Sequence, residues 1–144
     1  MAVNTSPIFI KEGGNAGCLI TSANTAFDGS GTLGTDIFEL LTATTDGTRV
    51  EGVRFIPSQA TVGIIAAKVF RIYITDTGGT NPLPLGEVAM AQSTRSNTAA
   101  GTIVDYFFPQ PIILKSGQKI LVSQSVRATS ADNTACYPIG FGNF

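Results

Sequence analysis

The chain has 144 residues, of which 43% are hydrophobic and only 13% charged, with nine Lys and Arg against ten Asp and Glu. That length is ordinary for one domain and buries roughly 68–70% of the unfolded chain's surface, and so little charge beside so much apolar content opposes intrinsic disorder. The cations Lys11, Arg49, Arg54, Lys68, Arg71, Arg95, Lys115, Lys119 and Arg127 are scattered, which excludes the basic footprint of a nucleic-acid binder.

No apolar run approaches the roughly 20 residues that span a bilayer as a helix, so no membrane partner is expected. The opening MAVNTSPIFIKEGG has neither a basic leader nor a long apolar stretch, and a soluble protein made in the cytoplasm is expected. Residues 1–7 read as an extended N-terminal arm fixed by Pro7, ahead of one β-sandwich domain over 8–144.

Strand signals are short, frequent and separated by Gly, Pro, Asn, Asp and Ser, the pattern of a sandwich or barrel rather than of βαβ units. In chain order they cover residues 8–11, 17–21, 37–43, 49–57, 68–76, 85–91, 102–109, 112–114, 119–126 and 135–141, about eight to ten strands. Residues 24–36 and 91–101 read as long loops facing solvent or a partner, and 58–67 as a loop crossing one end of the sandwich. The stretch 37–43 lacks strict alternation at Phe38, Leu40 and Leu41. It is short and runs into the turn-rich Thr44-Thr45-Asp46-Gly47, so strand is favoured over a turn of helix.

In 69–75, Phe70, Ile72 and Ile74 share one face while Arg71, Tyr73 and Thr75 share the other, as in a half-buried strand. In 102–108, Val104, Tyr106 and Phe108 point one way. Ile103, Asp105 and Phe107 point the other, a mixed face suited to cover by a neighbouring subunit. Apolar parity breaks at Gly52, between Val50 on one side and Val53 with Phe55 on the other, which predicts a β-bulge.

The absence of His removes the commonest general base and metal ligand, together with every Ser-His or Cys-His nucleophile pair, so no enzyme is expected. The carboxylates are widely spaced and nothing selects a glycosidase-type pair. Asp28-Gly29-Ser30-Gly31-Thr32, followed by Asp36, alternates oxygen-bearing side chains as calcium prefers. It lacks the terminal bidentate Glu of a helix-flanked calcium loop, and flexible loop is the reading taken. No metal or other cofactor is expected. Gly29–Gly34 and Gly78-Gly79 lack the Lys-Ser or Lys-Thr of a phosphate loop and read as turns.

Cys18 and Cys136 sit among small and apolar residues and suit buried free thiols better than reactive ones, the alternative being a disulfide that joins the two chain ends. The sequon Asn4-Thr5-Ser6 is idle without export. With no Trp and only three Tyr, little aromatic surface is offered to sugar rings. A neutral surface rich in Ser, Thr, Asn, Gln and Gly loses few full charges when packed against another protein, which lowers the desolvation cost of assembly.

Taken together, the chain resembles a family of small proteins encoded among the structural genes of tailed bacteriophages and prophages. The resemblance is carried by Asn4-Thr5-Ser6-Pro7-Ile8-Phe9, by Thr21-Ser22-Ala23-Asn24-Thr25 leading to Asp28-Gly29-Ser30-Gly31-Thr32, and by Gly47-Thr48-Arg49-Val50. It continues through the 69–76 strand and Leu114-Lys115-Ser116-Gly117 to Gly140-Phe141-Gly142-Asn143-Phe144. It implies a virion component, specifically a jelly-roll decoration or cement protein, made in the host cytoplasm and bound as a dimer or trimer to the major capsid protein on the capsid exterior. In that setting the arm residues Asn4, Thr5, Ser6, Pro7, Ile8 and Phe9 are the expected contacts, and no small-molecule substrate is implied. The alternative is a tail or fibre module that recognises host-surface glycan.

Overall fold

The computed structural model describes residues 12–13, 16–59 and 61–144. The 8–11 strand and the arm, including Asn4, Thr5, Ser6, Pro7, Ile8 and Phe9, lie outside the described residues. Twelve strands run through the described chain: β1 (Glu12–Gly13), β2 (Cys18–Ile20), β3 (Phe38–Thr42), β4 (Thr48–Pro57), β5 (Gly63–Ile65) and β6 (Lys68–Ile74), then β7 (Leu83–Met90), β8 (Ser93–Arg95), β9 (Val104–Leu114), β10 (Lys119–Gln124), β11 (Thr134–Ile139) and β12 (Gly142–Asn143).

Eight of these make two antiparallel sheets. The first runs β2-β11-β4-β9 and the second β3-β10-β6-β7. Numbered one to eight along the chain, these strands lie in the orders 1-8-3-6 and 2-7-4-5, which is the winding of a jelly roll, two Greek keys folded across one another. The sandwich expected from the strand pattern is therefore present, in the jelly-roll form that the resemblance implied. β12 and β1 continue the first sheet along β4.

The core lies between the sheets because alternate residues of every long strand are apolar. Val50, Val53 and Phe55 of β4, Phe108 and Leu114 of β9 and Cys136 of β11 meet Phe70 and Ile72 of β6 and Ile120 and Val122 of β10. At its centre the rings of Phe55 and Phe70 stack at 4.1 Å and 5° across the interface. Each such buried side chain contributes about 1.5–3 kcal/mol relative to exposure.

The parity break at Gly52 is a bulge, as expected. β4 and β9 pair from Thr48 with Leu114 to Val50 with Ile112, then resume at Gly52 with Phe107, so Phe108 to Pro111 face Glu51 alone. A Cβ on Gly52 would stand 2.4 Å from the carbonyl oxygen of Tyr106, so only glycine fits. Pro109 and Pro111, which have no N–H to donate, fall inside the irregular stretch, and what reads as two strands over 102–109 and 112–114 is one bent strand.

Two expectations need correction. Residues 58–67 and 91–101 are not plain loops, because β5 and β8 pair within them and place Ile65 in the core. Three-residue strands are too short to leave a periodic signal. β6 is not half-buried, since Arg71, Tyr73 and Thr75 are as covered as Phe70 and Ile72.

Residues 24–36 are a loop exposed over most of its length, as expected, and at its start it also lies against β6. Asn24 N–H donates to the Gln124 carbonyl at 2.8 Å, Arg71 Nη1 to the Asn24 carbonyl at 3.3 Å and Tyr73 Oη to the Ala26 carbonyl at 3.4 Å. The guanidinium of Arg71 lies 4.4 Å from the Phe27 ring centroid and also pairs with Glu87 at 3.0 Å, while Ile37 closes a small cluster with Tyr73 and Leu121.

Candidate interaction surface

The outer face of the first sheet is built by register. Residues directly opposite on antiparallel strands point to the same side, so the inward Phe55–Cys136 and Phe55–Val104 pairs leave their neighbours facing out. One outward row is Leu19, Ala135 and Ile56, the next is Tyr137, Arg54 and Asp105, and the third is Ile139, Gly52 and Phe107. Ile113 follows, opposite Arg49, and Ile103 continues the parity of β9 beyond Asp105.

Several of these side chains are largely in solvent: Phe107 is 61% exposed, Ile113 55%, Ile103 53%, Tyr137 46% and Leu19 43%. Four strands spaced about 4.8 Å apart carry them, so the face is about 15 Å across. Scattered apolar residues on a surface are ordinary, whereas a contiguous set on one rigid face marks a contact site. The remaining exposed apolar side chains, Phe27, Leu33, Val62, Ile64, Leu83 and Val126, are dispersed over other loops and strands.

Both exposed aromatics of this face lie over glycines. A Cβ on Gly17 would be 2.9 Å from the Tyr137 ring, and one on Gly52 would be 3.3 Å from that of Phe107. The absent side chains let the rings lie down on the sheet, which flattens the face. Between them, Arg54 holds Asp105 by two bonds of 2.7 Å, from Nε and Nη2. These hydrogen bonds hold the Asp105 carboxyl below its ordinary range. The pair is cross-strand and partly exposed, so its contribution to stability is small, and its opposite charges offset one another on this face.

The expected subunit-covered face of Ile103, Asp105 and Phe107 is thus exposed apolar surface of the described structure. Tyr137, Ile139, Ile56 and Leu19 were not singled out as members of it. Their own strands show alternation, but only the pairing of β11 with β2, and of β4 with both β9 and β11, joins them.

The oxygen-rich loop spends its carboxylates on its own backbone. Asp28 Oδ1 accepts from the N–H of Ser30 at 3.0 Å and from its hydroxyl at 2.7 Å, which holds the Asp28 carboxyl low, and Asp36 Oδ1 accepts from the N–H of Thr32 at 2.6 Å. Asp76 closes a second turn, accepting from the N–H groups of Thr80 and Gly78 and from the Asn81 amide. Among the described residues, no three His, Cys, Asp or Glu side chains gather as a metal site.

Inside the sandwich, Lys68 Nζ and Asp132 Oδ1 pair at 2.7 Å with both side chains wholly buried. Asp132 Oδ2 also accepts from Ala128 N–H at 3.0 Å and Ala66 N–H at 3.3 Å. Gln124 Oε1 accepts from Thr134 Oγ1 at 2.9 Å and Lys68 Nζ at 3.4 Å. This cluster is buried and ties β6, β10 and β11 together.

No family model matches the chain, and no curated protein matches it. Among solved structures, one of infectious bursal disease virus, Gt strain, is similar to it at 15% identity with a TM-score of 0.32. The likeness covers 98% of this chain and 36% of that one, so the chain spans little more than a third of the other's length. The fold assignment rests on the strand order and register described above.

Proposed function

We propose that the chain is a virion structural protein, a capsid decoration or cement protein that binds the major capsid protein of an assembled head and has no catalytic role. The observation that supports this reading is the apolar outer face carrying Phe107, Ile113, Ile103 and Tyr137, together with the resemblance to phage structural proteins. A partner that binds only the assembled lattice stabilises it by its binding free energy at every copy. The apolar face supplies desolvation energy at the contact, and its few charges keep the cost of docking low. A dimer or trimer places one such face on each symmetry-related site of a lattice. The arm at residues 2–7 adds a second point of attachment.

The test is co-sedimentation of the purified protein with expanded, empty heads, followed by thermal challenge of the decorated particles. Binding with a raised disruption temperature is expected, and Phe107→Asp together with Ile113→Asp abolishes it while the variant stays folded. Failure of the unaltered protein to co-sediment sinks the reading. Glycan recognition by a tail or fibre module is the competing outcome, with Tyr137 as the exposed stacking ring. Binding on a glycan array, with none to heads, replaces the proposal.

A further inference from the structure

We infer that Cys18 and Cys136 are an oxidisable pair that closes into a cross-strand disulfide, with Cys18 as the attacking thiol and Cys136 as the resolving one. The cysteines are directly opposite in the antiparallel pairing of β2 with β11, so their side chains leave the sheet on the same side. Opposed antiparallel residues have Cα atoms about 4.5–5.5 Å apart, inside the range of about 4.4–6.8 Å that a disulfide spans. The register thus brings the two cysteines within the span of the bond. Both cysteines are free in this structure.

The two thiols are not equivalent. Cys136 is fully buried in the core, and burial, followed by the hydrogen bond with Cys18, pushes its thiol well above the ordinary range. Cys18 is only half-buried, on a three-residue strand at the edge of the sheet, where it packs against the core from the same side as Cys136. An oxidant therefore meets Cys18 first.

The oxidant is a small-molecule disulfide. The Cys18 thiolate attacks one of its sulfurs, forming a mixed disulfide and releasing one small thiolate. Cys136 then loses its proton and its sulfur attacks that of Cys18, expelling the second small thiolate. Two protein thiols are oxidised and one small disulfide is reduced to two thiols, which carry off the two protons. The bond joins β2, near the start of the described chain, to β11, near its end, and every other strand of the jelly roll lies between them. Its closure restricts the unfolded chain most strongly because the enclosed loop is long.

The experiment treats the folded protein with oxidised glutathione, quenches with an alkylating reagent under denaturing conditions and measures intact mass. A monomer lighter by two hydrogens, unalkylated, and melting about 10 °C higher is expected. Under the same native treatment, Cys136→Ala stops at one glutathione adduct and Cys18→Ala acquires none. Full alkylation of the treated protein overturns the inference, as does a stable mixed disulfide on the unaltered chain. A product linked between two chains, or Cys18→Ala reacting as fast as the unaltered protein, also overturns it.

Discussion

Replacing Lys68 by Met removes one half of an ion pair in which Nζ and Oδ1 of Asp132 stand 2.7 Å apart with neither side chain exposed. The carboxylate left behind keeps two acceptor contacts, from the N–H groups of Ala128 and Ala66, but loses its only charged partner among the described residues. Breaking a buried pair from one side costs about 3–5 kcal/mol, because an uncompensated charge stays in the low-dielectric interior. At about 2.1 cal/mol/K of unfolding entropy per residue, 144 residues give about 0.3 kcal/mol/K, so the melting temperature falls by about 10–17 °C. Asp132→Asn costs a similar amount, since it strands the ammonium instead. The double variant Lys68→Met with Asp132→Asn removes both charges while the amide oxygen still accepts from the backbone, and it lies within about 2 kcal/mol of the unaltered protein. Urea unfolding followed by circular dichroism measures all four stabilities, which suits a chain without Trp. A Lys68→Met cost under about 1 kcal/mol, or single costs that simply add in the double variant, refutes the reasoning.

Gly117 has φ +83° and a Cβ there would stand 2.2 Å from the Thr77 carbonyl oxygen, whereas Gly34 has φ +81° with nothing within 4 Å. Gly117→Ala therefore costs about 2 kcal/mol or more and Gly34→Ala about 1 kcal/mol, and equal shifts in urea midpoint contradict this. Phe55→Ala, which removes one ring of the central stack, costs about 3–5 kcal/mol, while Phe107→Ser on the open face changes stability by about 0.5 kcal/mol or less. Thermal melts of the two variants check the inward and outward assignment. Asp76 is held below its ordinary 3.8 by the backbone N–H of Thr80 first and the Asn81 amide next, and Asp105 by Arg54. Because these folded values are depressed, the stabilisation is complete above the unfolded value and is lost as pH falls through the lower folded ones. Asp76→Asn and Asp105→Asn accordingly flatten the acid limb of a plot of urea midpoint against pH below about 4, and an unchanged limb contradicts the assignment.

The elements that could be read along the chain are those recorded in near neighbours. Alternation from Val69 to Thr75 defines β6, the slip between Val50 and Val53 marks the bulge at Gly52, and turn residues on both sides bound β3 at 38–42. The mixed parity of Ile103, Asp105 and Phe107 already pointed to apolar side chains on the outer side of β9, where Ile103 and Phe107 are exposed. The same kind of signal missed β5 and β8, because three residues carry no period. The exposed loop over 24–36 was legible, but a polar composition does not reveal that backbone carbonyls at 24 and 26 will meet Arg71 and Tyr73 from a strand far along the chain.

Strand identity, the apolar core faces and the lack of histidine chemistry follow from composition and from spacing over two residues, since side chains alternate locally whatever the topology. Partnership does not. Lys68 and Asp132 are 64 positions apart, Tyr137 reaches Arg54 only through β4 with β11, and Cys18 faces Cys136 only through β2 with β11. Which strands become neighbours, and in which register, is decided when two sheets bury one another's faces. A slip of a single residue would turn the whole apolar set outward, so the packed sandwich, and not any local segment, selects the pairing that assembles the open face and brings the two thiols together.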